Sequence, residues 1–190
     1  AGLLIAGGVA VHSRKPRLLV LGAALSLWSN GVKVLNWLGV GPEVAALGGA
    51  LDHMAYRDGI TGEELCRFSL APVEQQTGQR AYPVARADLQ NLLMDRVGAD
   101  RIRLGMQLVG ISDDGTTVTA TFADGTTDTA DLLIGADGAR SIVRDYVTEP
   151  SGIRPERSYS GYVNYNGLVT ADERIGPLDQ WTTYVGDGKR

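Results

Sequence analysis

The 190-residue chain has one cysteine, two histidines, two phenylalanines and no long apolar run. A lone Cys66 excludes an internal disulfide and leaves no cysteine cluster for zinc. His12 and His53 match no metal-ligand or nucleophile spacing, so no metal site is expected and all three residues read as structural. The longest apolar stretch, Leu18 to Leu25, covers eight residues. A membrane span needs about 20, so none is expected. Acid is missing from the first 42 residues, which carry Arg14, Lys15, Arg17 and Lys33 before the first acid, Glu43. That basic stretch reads either as chance surface charge or as a phosphate-facing end. Overall, 18 basic and 22 acidic residues give a net charge of −4, which argues against bulk electrostatic binding of nucleic acid. The apolar start, Ala1 to Ala10, precedes its basic residues. A secretory signal has the reverse order, so a cytoplasmic protein is expected.

Apolar residues make up 44% and charged residues 21%, an ordinary globular composition. The length suffices for one domain, or one plus part of a second. The 25 glycines are spread without a repeat.

Periodicity predicts a mixed α/β chain. Gly2 to Val11 reads as a buried helix of small apolar residues. Ala23 to Trp28 reads as a short strand. Asn30-Gly31 is expected to turn into a helix over Val32 to Leu38, stopped by Gly39 and Gly41. Met54 to Arg57 and Leu65 to Leu70 flank an Asp58-Gly59 turn. Arg86 to Val97 is the clearest helix, with Leu89, Leu92, Leu93 and Val97 on helical spacing. Val118, Ala120 and Phe122 alternate with threonines up to Asp124-Gly125, a hairpin signal. Leu132-Leu133-Ile134 suggests a strand buried on both faces. Tyr159 to Val169 and Gln180 to Val185 read as later strands.

Two Asp-Gly pairs differ in context. Asp124-Gly125 is explained by its hairpin. Asp137-Gly138 follows a buried apolar run and precedes the helix-like Ile142 and Val143. A strand entering a helix through a glycine turn can present backbone N–H groups to a phosphate; a plain strand-to-helix turn is the alternative.

The stretch Asp131-Leu132-Leu133-Ile134-Gly135-Ala136-Asp137-Gly138-Ala139-Arg140-Ser141-Ile142-Val143-Arg144 resembles the Asp-Gly motif of single-component FAD-dependent aromatic hydroxylases. The segments Gly22–Gly31, Met54–Asp58, Phe68–Pro72, Gly161–Gly167 and Gln180–Arg190 are similar to the urate hydroxylases within that family. The resemblance implies a Rossmann-like FAD-binding domain, here truncated, with part of an antiparallel-sheet substrate domain. Residues 1–190 would form the partial FAD-binding domain, with 52–82 and about 158–190 contributing to the substrate-binding sheet. It implies FAD as cofactor, NADH or NADPH as reductant, oxygen as co-substrate, and urate or another aromatic acid as substrate. Carried over, the resemblance places Gly2, Ser26, Arg86, Leu108 (through its backbone) and Asp137 at FAD, and Asn164 and Arg190 at urate. It makes Arg144 the residue that orders the Asp137 turn. No catalytic acid or base is implied.

Each residue keeps a plainer reading. Arg86 is either a solvated first-turn residue or the partner of an anion, the helix dipole disfavouring an unpaired cation there. Asn164 is either a turn residue or a ligand. Arg190 is either a solvated end or a planar donor to an oxygen-rich purine, a task for which lysine is a poor substitute.

The chain also departs from the family. It starts at what looks like the end of a G-x-G-x-x-G turn. Residues Val11 to Leu21 look too short for a helix end, a second strand and the ribose carboxylate such a fold needs. The later Gly-Asp segment is absent, and the length is near half the family's. The 190 residues alone are therefore expected to bind FAD poorly and to be inactive. Three readings follow: a urate hydroxylase, a monooxygenase for another aromatic acid, or a catalytically silent flavoprotein fragment. The missing early acid favours the last.

Overall fold

The computed structural model describes residues 2–6, 10–13, 24–153, 155–163, 165, 167, 169–170 and 172–186, the first five by backbone alone. In chain order the strands and helices are β1 (Gly2–Ala6), β2 (Ala10–Ser13), β3 (Ala24–Leu27), α1 (Ser29–Trp37), α2 (Gly41–Leu47), β4 (His53–Asp58) and β5 (Glu64–Ser69). There follow α3 (Ala71–Thr77), β6 (Tyr82–Ala85), α4 (Arg86–Val97), β7 (Ile102–Leu104) and β8 (Leu108–Asp113). Then come β9 (Val118–Phe122), β10 (Thr127–Ala130), β11 (Leu132–Ala136), α5 (Ile142–Thr148) and β12 (Gln180–Val185). The chain divides into two units, residues 1–19 with 93–164 and residues 20–92 with 165–190.

The first unit holds a four-stranded sheet in the order β11-β1-β2-β7 and a β8-β9-β10 meander. Gly2 to Val11 is thus not a helix. The segment is two strands, and β1 runs antiparallel to both β2 and β11. Three residues separate β1 from β2, and a parallel pair would need a crossover of a dozen or more. Beyond β2 the sheet continues in parallel, β2 pairing with β7. Residues 10–13 form a strand, but its antiparallel pairing with β1 means that it is not the parallel second strand after which a dinucleotide fold carries its acid.

The meander packs Leu108, Ala120, Phe122 and Ala130 against Val143 of α5. Its sharp turn at Asp124-Gly125 forms as the sequence predicts: Gly125 takes φ +84°, and the Asp124 carboxylate accepts from the Thr126 amide. Leu133 joins this core, but Leu132 and Ile134 are exposed. The expectation that this run is buried on both faces therefore fails. Among the described strands β11 pairs only with β1, and one of its faces is left to solvent.

The second unit contains the β3-β6 ribbon and a β12-β4-β5 sheet. Its hairpin β4-β5 forms at the expected turn, where the Asp58 carboxylate accepts from the amides of Ile60 (2.8 Å) and Thr61 (2.7 Å). The sheet is mixed, not purely antiparallel, because β12 runs parallel to β4. Leu51, Leu70 and Ala81 form a small core beneath it with Met54. Helix α4 spans the residues that periodicity predicted.

Asn30 and Gly31 lie inside the first turn of α1, not before it. First-turn amides have no intrahelical acceptor in any case, so polar Asn and Gly are tolerated there. Gly39 ends that helix at φ +75°, whereas Gly41 opens α2 with Pro42 at its start. Pro72 likewise starts α3; proline at a helix start was the signal for both. The described residues from Tyr159 to Val169 form no strand. A strand needs a hydrogen-bonded neighbour, and no described sheet pairs with this stretch.

Candidate functional site

The Asp137 turn is built from short-range hydrogen bonds. Strand β11 ends at Ala136, a single helical turn covers Gly138–Arg140, and α5 starts at Ile142. Gly138 takes φ +83°, a region that costs a residue with a Cβ about 1–2 kcal/mol. Gly135 has a different role. A Cβ there would lie 2.5 Å from the Val143 Cβ, so its bare backbone lets α5 lie directly on β11. Ser141 caps α5, accepting from the Arg144 amide at 2.9 Å.

The Asp137 carboxylate turns back onto this cap. Its Oδ1 accepts from the Ser141 hydroxyl at 2.5 Å, and its Oδ2 from the amides of Ile142 (2.7 Å) and Val143 (3.4 Å). Burial pushes the carboxyl up, but the Ser141 hydroxyl and the backbone amides outweigh it and hold Asp137 below the usual carboxylate range. Arg144 donates to the Ala139 carbonyl at 3.2 Å and pairs with Asp145 at 2.8 Å, which ties the turn to the helix as the resemblance implied.

These bonds decide what the turn can bind. The first amides of α5 already face a negative charge, the carboxylate of Asp137 itself. A phosphate at that position would meet like charge. An ionised carboxylate only accepts hydrogen bonds, whereas a nucleotide's sugar hydroxyls donate them. The carboxylate can therefore accept from a hydroxyl donor but does not favour a directly seated phosphate.

The other predicted residues fall in two groups. Gly2 lies within a strand and not in a strand-to-helix glycine turn, a correction that follows from the antiparallel β1-β2 pairing. Its register partner is Ala136, one residue before Asp137. Leu108 is buried in the meander core, so only its backbone is available to a ligand. In the second unit, Ser26 pairs with Pro83 on the β3-β6 ribbon, and Arg86 follows β6 directly as the exposed first residue of α4. Asn164 and Arg190 lie outside the described residues.

Sequence reasoning missed two features. Ser141 was one; a serine just before an apolar pair is an N-cap signal. The other is an open cavity of about 460 Å³ on the β4-β12 face of the second unit, lined by Arg57, Ile175, Leu178, Gln180, Thr182 and Tyr184. Small-molecule pockets span about 300–1,000 Å³. The alternation of Gln180, Thr182 and Tyr184 on one side of a strand was its signal. A smaller cavity of about 110 Å³, beside Arg80 and Asp52, falls below that range. Among the described residues, no group of three or more His, Cys, Asp or Glu side chains could hold a metal. No described helix is long and apolar enough to cross a membrane.

Known proteins add an independent measure. The chain is 56% identical over 182 residues to the FAD-dependent urate hydroxylase of Mycolicibacterium vanbaalenii, covering 95% of this chain and 45% of that protein. It is 47% identical over 181 residues to the enzyme of that name from Klebsiella pneumoniae. The crystal structure of Klebsiella pneumoniae HpxO complexed with FAD and uric acid matches with a TM-score of 0.82 at 46% identity, over 88% of this chain and 42% of that one. The chain thus spans about half the length of the relatives it matches. The family model for the FAD binding domain covers residues 1–169, and the chain belongs to the FAD binding domain family.

Proposed function

We propose that this chain is the N-terminal part of an FAD-dependent urate hydroxylase. The observation that carries this reading is the 56% identity to such an enzyme over 95% of the chain, which extends well beyond the Asp137 turn into the β4-β12 sheet. In the complete protein, urate, oxygen, NAD(P)H and a proton give 5-hydroxyisourate, water and NAD(P)+. FAD, when bound, supplies the redox chemistry between nicotinamide and oxygen. The chain's own residues bind and orient. Asp137 accepts from a sugar hydroxyl of FAD, with Ser26, Arg86 and the backbone of Leu108 as further contacts. Asn164 and Arg190 face urate, and residues 52–82 and about 158–190 contribute to the sheet that holds it, through β4, β5 and β12.

Arg190 offers the sharpest test. Urate is an anion with carbonyl oxygens along its edges, and a guanidinium can engage two of them at once. Losing a hydrogen bond to a charged group costs about 1.5–3 kcal/mol, or roughly 10- to 150-fold. In the product of the complete coding sequence, Arg190→Gln should raise the urate KM by that factor. It should also raise the hydrogen peroxide formed per NADH oxidised, with FAD still bound. Lysine should restore only part of the coupling. Wild-type urate affinity and full coupling in Arg190→Gln would show that Arg190 is not a substrate ligand and would take the strongest residue from the case for urate over another aromatic acid.

A further inference from the structure

We propose that the cavity beside Arg80 and Asp52 binds a compact neutral urea, a group with one carbonyl oxygen between two N–H donors. The site belongs to the second unit and does not depend on urate hydroxylation.

The cavity has a volume of about 110 Å³. An apolar cavity of about 150 Å³ holds benzene, so this one admits a single small ring. Trp28 and the buried Leu51 and Leu70 give it an apolar wall. Asp52, Glu74 and Arg80 give it a polar one. Backbone bonds hold the polar groups together. The Leu70 amide donates to the Asp52 carbonyl at 2.8 Å, and the Glu74 amide to the Leu70 carbonyl at 3.1 Å. The first turn of α3 is thereby tied to the residue that precedes β4.

Arg80 points to the ligand. Its Nη2 donates to Asp52 Oδ1. Its Nε is buried and has no hydrogen-bond partner among the described residues. A buried donor left unpaired is costly, and such an atom marks a place where water or a ligand sits. The guanidinium is planar, so an acceptor on Nε lies in the plane of the group that holds Asp52.

The lining sets the charge of that acceptor. Two carboxylates against one guanidinium leave the cavity net negative, which disfavours an anion. A cationic amine would suit the carboxylates but leave Nε unpaired. A neutral carbonyl satisfies Nε without adding charge, and N–H groups beside it donate to the carboxylates of Asp52 and Glu74, which only accept.

Imidazolidin-2-one, a cyclic urea, is the probe. With the product of the complete coding sequence, calorimetry should show saturable binding, and the Arg80 Nε–H signal in nitrogen-15 NMR should move over the same titration. That signal reads the contact without any substitution. Arg80→Lys keeps a cation for Asp52 but has no Nε donor. It should weaken binding by about tenfold, the lower end for a hydrogen bond to a charged group. Acetate should produce neither heat nor shift, and excess urate should not displace the probe. Absent binding, an unmoved Arg80 signal or undiminished affinity in Arg80→Lys would overturn the site and leave the cavity to ordered water. Acetate binding as tightly as the probe would overturn the neutral ligand in favour of an anion. Displacement by urate would assign the probe to the substrate site and overturn a separate one.

Discussion

The Asp137 turn and the stretch from Tyr159 to Val169 sit in the same half of the sequence and behave in opposite ways. Around Asp137, carboxylate, hydroxyl, amides and guanidinium bond to one another within a span of eight residues. Its glycine packs against Val143, and Val143 belongs to the meander core. Along the later stretch, Tyr162 is 71% and Tyr165 91% exposed, and the described residues pair with no sheet. The Asp137 turn is held by local hydrogen bonds. Among the described residues of the later stretch, the tyrosines lie without the neighbours that would bury them. Short-range bonding lets the first form from its own sequence, whereas the second depends on contacts from elsewhere.

The largest expected contrast comes from the cores of these two regions. Phe122 is 2% exposed and stacks on His12 with ring centroids 4.8 Å apart. Phe122→Ala should destabilise the first unit by about 3–5 kcal/mol. Tyr165→Ala should change stability by no more than about 0.5 kcal/mol. Urea denaturation of both variants measures the difference, and a large loss for Tyr165→Ala would erase the contrast.

The contact between Gly135 and Val143 comes next. Gly135→Ala inserts a methyl group where the Val143 side chain lies, and overpacking of this kind costs about 1–3 kcal/mol. Val143→Ala in the same chain should recover part of that loss, since it frees the space. A double-mutant cycle reads the coupling; additive effects would mean that β11 and α5 do not touch at this point.

A smaller effect is expected from pH. Burial pulls the His12 pKa below its ordinary 6.5, outweighing the attraction of Asp128, while Arg103 adds to the lowering. Its Nε2 is 3.2 Å from Asp128 Oδ2, which Arg103 also approaches at 3.5 Å. The folded state thus binds fewer protons than the unfolded state between the lowered value and 6.5. Stability from this group is fully present above 6.5 and is lost as pH falls toward the folded pKa, with a slope of at most about 1.4 kcal/mol per pH unit. His12→Phe should flatten that slope while keeping the ring stack. Thermal melts from pH 8 to 5 would show it, and an unchanged slope would assign the acid sensitivity elsewhere.

The parts of the fold that were legible in the sequence are those whose signals are short-range. The Asp124-Gly125 hairpin, the α4 periodicity and the Asp137 turn each depend on residues within a dozen positions. Errors came where pairing partners are distant or absent. Gly2 to Val11 has the composition of a buried helix, and only the three-residue link between β1 and β2 makes it two antiparallel strands. Leu132 and Ile134 look like a central strand, yet among the described strands β11 has one neighbour. Tyr159 to Val169 has strand propensity, but its described residues pair with no described strand. The cavity beside Arg57 and Tyr184 joins β4 to a strand more than 100 residues away, a register that no local pattern announces. Ser141 was missed for a different reason: its N-cap signal was present, but its second bond, to Asp137, appears only when the chain folds back on itself.

The most direct measurement is the stoichiometry of the complete coding sequence's product, with FAD bound and NADH, oxygen and urate supplied. A urate hydroxylase consumes one urate and one oxygen for each NADH oxidised, with little hydrogen peroxide, and NADH oxidation slows when urate is left out. Equal NADH oxidation with and without urate, with all oxygen recovered as peroxide and urate unchanged, would contradict the proposed function.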